Sequence, residues 1–475
     1  MGAEGVSGVR GEVPRMTRRT PTRAALLGSC LALLGALSGL PSDAAVPKDG
    51  VVRFTAGGTT VQAAKGWRLT PSRTTFTGAA EPTIGVTADG TVFSDVQTKV
   101  VRSRDRGRTW QDVTPPGHVT SLDPYLYVDK RTSRVYKSDL AGTCQLLSFS
   151  DSGGDSWTSV PAACNLSDHQ SLTAAPPVSS PTVGYPNILY SCSQTLGYNG
   201  YSMATGCDKS LDGGASWVPT GSFPYNNPSP YGIGPGTGDS GVMGVCGGNA
   251  GQAHAGPDGS LYIARGWCGQ PWLAVSEDEG LTWTRTQVAK NGMNTSVSGG
   301  FGLVAPGSGQ SDHEASVVVD GKGGVYVVWM ALDRRPYLAV SRDGGATFGP
   351  PLRISAPAVR EAWGPALDID ARGRLVVAYL ASTDSPGAPW TASYAGASFT
   401  GWVSVVERPL DKAPVVVAGP ASPSDAPMVR GACGPGRCNA AVLDFIDVTA
   451  GPDGTAWASF VDSAGRRLVV ASLSR

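Results

Sequence analysis

The octapeptide SRDRGRTW at 103–110 returns as SDSGGDSW at 150–157, SLDGGASW at 210–217, SEDEGLTW at 276–283 and SRDGGATF at 341–348. Five copies of Ser-x-Asp-x-Gly-x-Thr-Trp lie beyond chance, and their residue types specify a tight hairpin. Gly107, Gly154, Gly214, Gly280 and Gly345 supply the positive φ that such a turn requires. The Ser and Asp side chains bond turn amides that a ladder would otherwise satisfy. Trp110, Trp157, Trp217, Trp283 and Phe348 are then expected to plug the gaps between neighbouring sheets. The repeated aspartates are therefore read as structural rather than catalytic; the second copy even carries Ser152 in their place.

Alternating strand pattern precedes each copy. HAGPDGSLYIARGWCGQPWLAVSEDEGLTW from His254 and ASVVVDGKGGVYVVWMALDRRPYLAVSRDGGATF from Ala315 are each cut into four strands by Asp-Gly or Gly-Gly turns. Two further units keep the spacing without a good octapeptide, ALDIDARGRLVVAYLASTDSPGAPWTASYAGASFTGW from Ala366 and DVTAGPDGTAWASFVDSAGRRLVVASL from Asp447. The pattern predicts an all-β protein, a seven-bladed β-propeller in a single domain over 46–475. Six blades remain the alternative if the region before Ala440 divides differently. The last unit has room for three strands, so an N-terminal strand around Val51 to Thr55 is expected to complete it and remove the open edges. With 16% charged residues, 64 glycines and 36 prolines, the chain favours short strands and many turns over long amphipathic helices.

Arg18, Arg19 and Arg23 precede the apolar run Ala24 to Leu40, and Ser42 and Ala44 suit a cleavage site, so residues 1–45 read as a signal peptide. A start at Met16 would leave an ordinary charged n-region. No later segment approaches the roughly 20 apolar residues of a membrane-spanning helix, so the mature chain is expected to be secreted, soluble and monomeric. Cys30 lies inside the apolar run rather than at its end, which argues against lipidation. The other eight cysteines are an even number in an exported chain and point to disulfides. Sequence-neighbour pairing would join Cys144 with Cys164, Cys192 with Cys207, Cys246 with Cys268 and Cys433 with Cys438, with the connectivity left open. A formal net charge of zero and the lack of any basic block give no support to a nucleic-acid partner.

In a propeller the innermost strand of each blade starts beside the central channel. The residues at those starts are Glu81-Pro82, Asp123-Pro124, Asp168-His169-Gln170, His254, Asp312-His313-Glu314, Glu361 and Asp444 to Asp447. Three of the four histidines fall there, an enrichment that a solvent-exposed face would not need. Two readings stay open. Either these groups cap strand ends and bond the neighbouring blade, or they line one polar pocket in which carboxylates and histidines serve proton transfer.

The octapeptides resemble the Asp-box, or BNR, repeats of a family that includes sialidases, and the resemblance extends over nearly the whole mature chain. It implies a propeller acting on glycans. Sialidases carry an arginine triad and an Arg-Ile-Pro sequence on the first inner strand; here that strand reads EPTIGV, with Glu81 where the family has its first arginine, so sialic acid cleavage is not expected. Arg265, Arg360 and Arg430 are candidates for a cationic rim or for ordinary surface and inter-blade arginines. The segments DHQS, GQAHAGPDG and LDFIDVTAGPDG are similar to those of exported Asp-box proteins often labelled sialidase-like. The leading expectation is a glycoside hydrolase with Glu314, Glu361 and Glu81 as acid, base or nucleophile and with Asp123, His169, Gln170, His254, His313 and Asp447 holding the substrate. The alternatives are a polysaccharide lyase using His169, His254 and His313, the only reading that brings in a divalent metal, and a non-catalytic scaffold for glycan or protein. In the scaffold, the loop from Gly221 to Gly251 would offer Tyr225 or Tyr231 for stacking.

Overall fold

The computed structural model describes residues 50–121, 123–164, 167–196, 202–225, 250–267, 270–290, 315–385, 398–430 and 446–475. They form seven blades whose first strands pack side by side around a central axis, and no helix occurs among the described residues. Blade 1 comprises Ile84–Val86, Val92–Asp95, Val100–Ser103 and Gln111–Asp112; blade 2, Tyr125–Val128, Val135–Ala141, Cys144–Ser150 and Thr158–Ala162. Blade 3 comprises Ser167–Ala175, Ile188–Leu196, Ser202–Ser210 and Val218–Pro219; blade 4, His254–Ala255, Leu261–Trp267, Gln270–Ser276 and Thr284–Gln287. Blade 5 runs Ser316–Val319, Val325–Met330, Pro336–Ser341 and Leu352–Arg353, and blade 6 runs Glu361–Ile369, Leu375–Ser382, Ser398–Glu407 and Val415–Pro420. Blade 7 takes three strands from one end of the chain, Asp447–Ala450, Ala456–Asp462 and Arg467–Ser474, and its outermost strand, Arg68–Thr77, from the other.

That last pairing corrects one expectation. Val52–Thr55 does not complete the last blade; it pairs with Val415–Pro420 and, with Val61–Ala63, widens blade 6. Its alternating burial, Val52 and Phe54 in and Arg53 and Thr55 out, fits a strand laid over the outside of an existing sheet.

The octapeptides close the third hairpin of blades 1 to 5, and their geometry matches their chemistry. In all five the serine Oγ accepts the glycine N–H, at 2.8–2.9 Å. In four copies the Asp carboxylate accepts the amide of the Thr or Ser four positions on. In the second copy Ser152 Oγ takes over that role, accepting Ser156 N at 2.8 Å. The glycines sit at φ +77° to +107°. A Cβ on Gly214 would lie 2.9 Å from Leu147 Cδ2 of the preceding blade, so both the backbone and the joint demand glycine there.

Two of the four expected disulfides, Cys144–Cys164 and Cys192–Cys207, are present; Cys246, Cys268, Cys433 and Cys438 lie outside the described residues. No helix among the described residues is long and apolar enough to cross a membrane. Residues 1–49, which hold the expected signal peptide, also lie outside them.

Blades 3 and 4 are fastened by one carboxylate. Glu279 of the fourth octapeptide is fully buried, and its Oε1 accepts the amides of Val178, Ser179 and Ser180 at 3.0, 2.7 and 2.9 Å. Its Oε2 receives the Lys209 ammonium at 2.8 Å and the Ser180 hydroxyl. Burial raises its pKa, but these donors outweigh it and hold Glu279 far below the ordinary carboxylate range. A depressed carboxylate stabilises the fold above its unfolded pKa and ceases to do so as pH falls through the folded one. Glu279→Gln is therefore expected to lose about 1.5–3 kcal/mol in urea unfolding at pH 7, with the deficit shrinking progressively as pH falls below the ordinary carboxylate range.

Candidate functional site in the central channel

The seven inner strands are joined into a ring by side chains that reach the backbone of the next blade. Thr83 Oγ1 accepts Leu126 N at 2.8 Å from blade 1 to 2, Asp123 Oδ2 accepts His169 N at 3.1 Å from 2 to 3, and Ser171 Oγ accepts Ala253 N at 3.0 Å from 3 to 4. The His254 ring bonds the Val319 backbone from blade 4 to 5, and Ser316 Oγ donates to Pro365 O at 2.8 Å from 5 to 6. Asp368 Oδ2 accepts Ala450 N at 2.8 Å from blade 6 to 7, and Asp447 Oδ2 accepts Ile84 N at 3.0 Å from 7 back to 1. Every joint thus carries one such bond. Each satisfies a polar group at the channel wall, where it would be costly left alone. Asp123, His254 and Asp447 owe part of their presence to this ring.

Inside the ring lies a cavity of about 480 Å³ to which all seven inner strands contribute. In blades 3, 5 and 6 it is lined toward the far ends of those strands rather than their starts, and it reaches the first hairpins at Lys130, Arg131, Pro257, Gly321 and Ala371. Of the residues expected at the site, His254 and Asp447 line it, beside Gln252, Asp368 and Lys130.

Asp368 accepts from Lys130 Nζ at 2.5 Å and Thr449 Oγ1 at 3.1 Å as well as from Ala450 N. Burial works against its charge, yet Lys130 and these donors hold its pKa below the usual value. Among the described residues no cation forms an ion pair with Asp447. Burial pushes its carboxyl up to about 7 against the bonds from Ile84 N and Val448 N. Burial likewise lowers the His254 ring to about 4, so it is neutral at pH 7, with Asp368 pulling the other way. Asp447 and Thr449 point to one face of their strand, two residues or roughly 6–7 Å apart. Asp368 bonds Thr449 from the blade 6 side, while Asp447 reaches Ile84 N on the blade 1 side.

The remaining expected residues lie elsewhere. Glu361 is buried, with Arg334 Nη1 at 2.8 Å from Oε1 and Ser385 Oγ at 2.5 Å from Oε2. Glu81 is buried at φ +46°, beside Pro82, whose carbonyl accepts Ser459 Oγ of blade 7. Neither lines the cavity. Asp123, Asp168, His169 and Gln170 gather at the joint of blades 2 and 3: Gln170 Nε2 donates to Asp123 O at 2.5 Å, and the Asp123 and Asp168 carboxyls are hydrogen-bonded to each other. Burial and then Asp168 push Asp123 well up, whereas Asp168, despite its burial, is held down by the bond from Asp123. Glu314 and His313 lie outside the described residues. Tyr225 is not available for sugar stacking, since it is fully buried with its hydroxyl on Ile263 O at 2.9 Å. Arg265 is no rim residue either: it is 1% exposed, with Nη1 3.1 Å from Thr205 Oγ1. Among the described residues, no group of three His, Cys, Asp or Glu side chains is placed to hold a metal ion.

Sequence reasoning missed Asp368 and Lys130 because it weighed only strand starts. It also missed a charged cluster between blades 1 and 2. Lys137 is fully buried there, 2.7 Å from Asp95 Oδ2 and in contact with Asp139, whose other oxygen meets His118 Nδ1 at 3.1 Å.

No protein-family model matches the chain, and no curated protein does. Solved structures do match. The virginiamycin B lyase of Staphylococcus aureus is 10% identical over 86% of this chain and 99% of its own, with a TM-score of 0.48. A Hadza microbial sialidase is 17% identical over 64% of this chain and 63% of its own, at 0.39. An α-L-arabinofuranosidase of Fusarium graminearum is 13% identical over 74% and 97%, at 0.40. Likeness at this level carries no activity across to this chain.

Proposed function

We propose that this protein is an exported, carbohydrate-active propeller of the Asp-box type that hydrolyses a glycan in the central cavity. The supporting observation is the placement of Asp368 and Asp447 on the wall of one cavity, on the inner strands of adjacent blades. Asp447, carrying its proton up to about pH 7, is the general acid. Asp368, kept ionised by Lys130, is the base or nucleophile. Environments that drive two carboxyls apart in pKa are how one site holds an acid and a base at once. Hydrolysis by this pair requires the two carboxyls to stand about 5–9.5 Å apart when substrate is bound. Neutral His254 and Gln252 are left to orient substrate hydroxyls.

The test is mass spectrometry of sialosides and of bacterial, plant and algal polysaccharides after incubation with the mature protein, with and without chelator. Products heavier by one water, insensitive to chelator and declining as pH rises through about 7 with the Asp447 proton, are expected. Unsaturated products lost on chelation would replace hydrolysis by metal-dependent elimination. A binding scaffold is the second reading, favoured by the inter-blade bonds that already engage Asp368, Asp447 and His254. Retention of a glycan without any product would decide for it.

A further inference from the structure

Three buried side chains meet at the joint of blades 1 and 2. Asp95 ends the second strand of blade 1, while Lys137 and Asp139 lie on one face of the second strand of blade 2, two residues apart. Lys137 Nζ is 2.7 Å from Asp95 Oδ2 and donates to Asp139 Oδ1, and each of the three side chains is at most 1% exposed. His118 Nδ1 stands 3.1 Å from the other Asp139 oxygen, and its side chain is 10% exposed. The cluster therefore runs from a dry joint toward solvent through one imidazole.

The ion pair at the joint of blades 3 and 4 is surrounded differently. Glu279 meets Lys209 together with three amides and a hydroxyl, and these donors keep it ionised. Asp95 receives Lys137 alone, and its Oδ1 has no hydrogen-bond partner among the described residues. Burial raises the Asp95 pKa against the pull of Lys137. The ammonium, favoured by its two carboxylates, is the resting form. Passing its proton to Asp95 exchanges two buried charges for a neutral amine and a neutral acid in contact, a form that a dry joint favours far more than water does.

We propose that Lys137 and Asp95 condense in the folded protein to an amide that cross-links blades 1 and 2. The neutral Lys137 Nζ attacks Asp95 Cγ and gives up a proton to Asp139. The carbon–oxygen bond of the Asp95 hydroxyl then breaks, and the hydroxyl leaves as water with the proton that Asp139 carried. An ammonium and a carboxylate thus become one amide and one water, with no oxidant or activated donor. Contact in a fixed geometry supplies an effective molarity on the order of 10⁵ M or more, and exclusion of water opposes the reverse hydrolysis. Charge pairing governs the joint until the bond forms, and the bond governs it thereafter. None of the three residues lines the central cavity, so the cross-link is independent of the proposed hydrolysis.

Mass spectrometry of the full mature protein, disulfides reduced, tests it after prolonged incubation of the folded chain. The protein is expected to be lighter by one water than its sequence. Trypsin should leave the chain uncut after Lys137 and release residues 74–99 joined through that lysine to a second peptide. Lys137→Arg should keep the full sequence mass. Asp139→Asn, which retains an oxygen for Lys137 but cannot take its proton, should slow the loss of water at least tenfold. Full sequence mass in the wild-type chain with ordinary cutting after Lys137, water lost at an Asp-Gly turn instead, or an equal rate in Asp139→Asn would overturn the inference.

Discussion

Lys137→Met is expected to destabilise the protein by about 3–5 kcal/mol, the usual cost of leaving a buried charge without its partner. The lysine is fully buried between two buried carboxylates, Asp95 and Asp139. Burial works against its ammonium, yet the two carboxylates hold its pKa above the ordinary value. Removing it leaves Asp95, already pushed up by burial, to take a proton. The double variant Lys137→Met, Asp95→Leu should recover much of the loss, since replacing both members of a buried pair with apolar groups is often close to neutral. Chemical denaturation of the single and double variants measures both. Equal destabilisation by the two would show that the cluster owes its worth to packing and not to charge pairing.

The second large effect concerns turnover. On the proposed mechanism Asp447→Asn and Asp368→Asn should each lower kcat by about 10²–10⁴, the range for a lost general acid or base. The amide keeps most of the shape and can still accept the Ile84 or Ala450 N–H, so the ring of inter-blade bonds should hold and the melting temperature should change little. His254→Gln should act differently, raising KM more than it lowers kcat, because its neutral ring is placed to hold substrate. A fully active Asp447→Asn protein would remove the acid from the mechanism and move attention to the Asp123–Asp168 pair, where burial also raises a carboxyl's pKa.

The parts of this fold that were legible in sequence are the local ones. The octapeptide hairpins and the four-strand rhythm are written within some 30 residues each, and blade number follows from counting them. The closing strand is written differently. Arg68–Thr77, RLTPSRTTFT, has little apolar alternation and contains Pro71, as suits an outermost strand with a solvated edge, so its pairing with Arg467–Ser474 has no local signature. Val52–Thr55 reads clearly as a strand, but nothing in four residues names its partner.

The site was half legible for a related reason. Asp447 and His254 stand out as polar residues beginning an apolar strand. Asp368 lies within ALDID and Lys130 in a turn, where a carboxylate and a cation read as solvated. Lys137, in VYKSDLA, occupies what would be the wet face of an ordinary two-layer sheet. In a propeller both faces of a blade are covered by neighbours, so alternation in a strand no longer separates inside from outside.

The blade shared by both ends of the chain governs how the molecule must assemble. Thr70 and Ser472, 402 positions apart, are neighbours in one sheet. Closure therefore waits for nearly the whole polypeptide, which places this protein among slow folders of high contact order. Until then, an early-made strand and a late-made hairpin each carry an unsatisfied edge. In a crowded solution each edge is as able to find its mate on a second molecule as on its own, so refolding at high concentration should yield strand-exchanged dimers that dilution alone does not resolve.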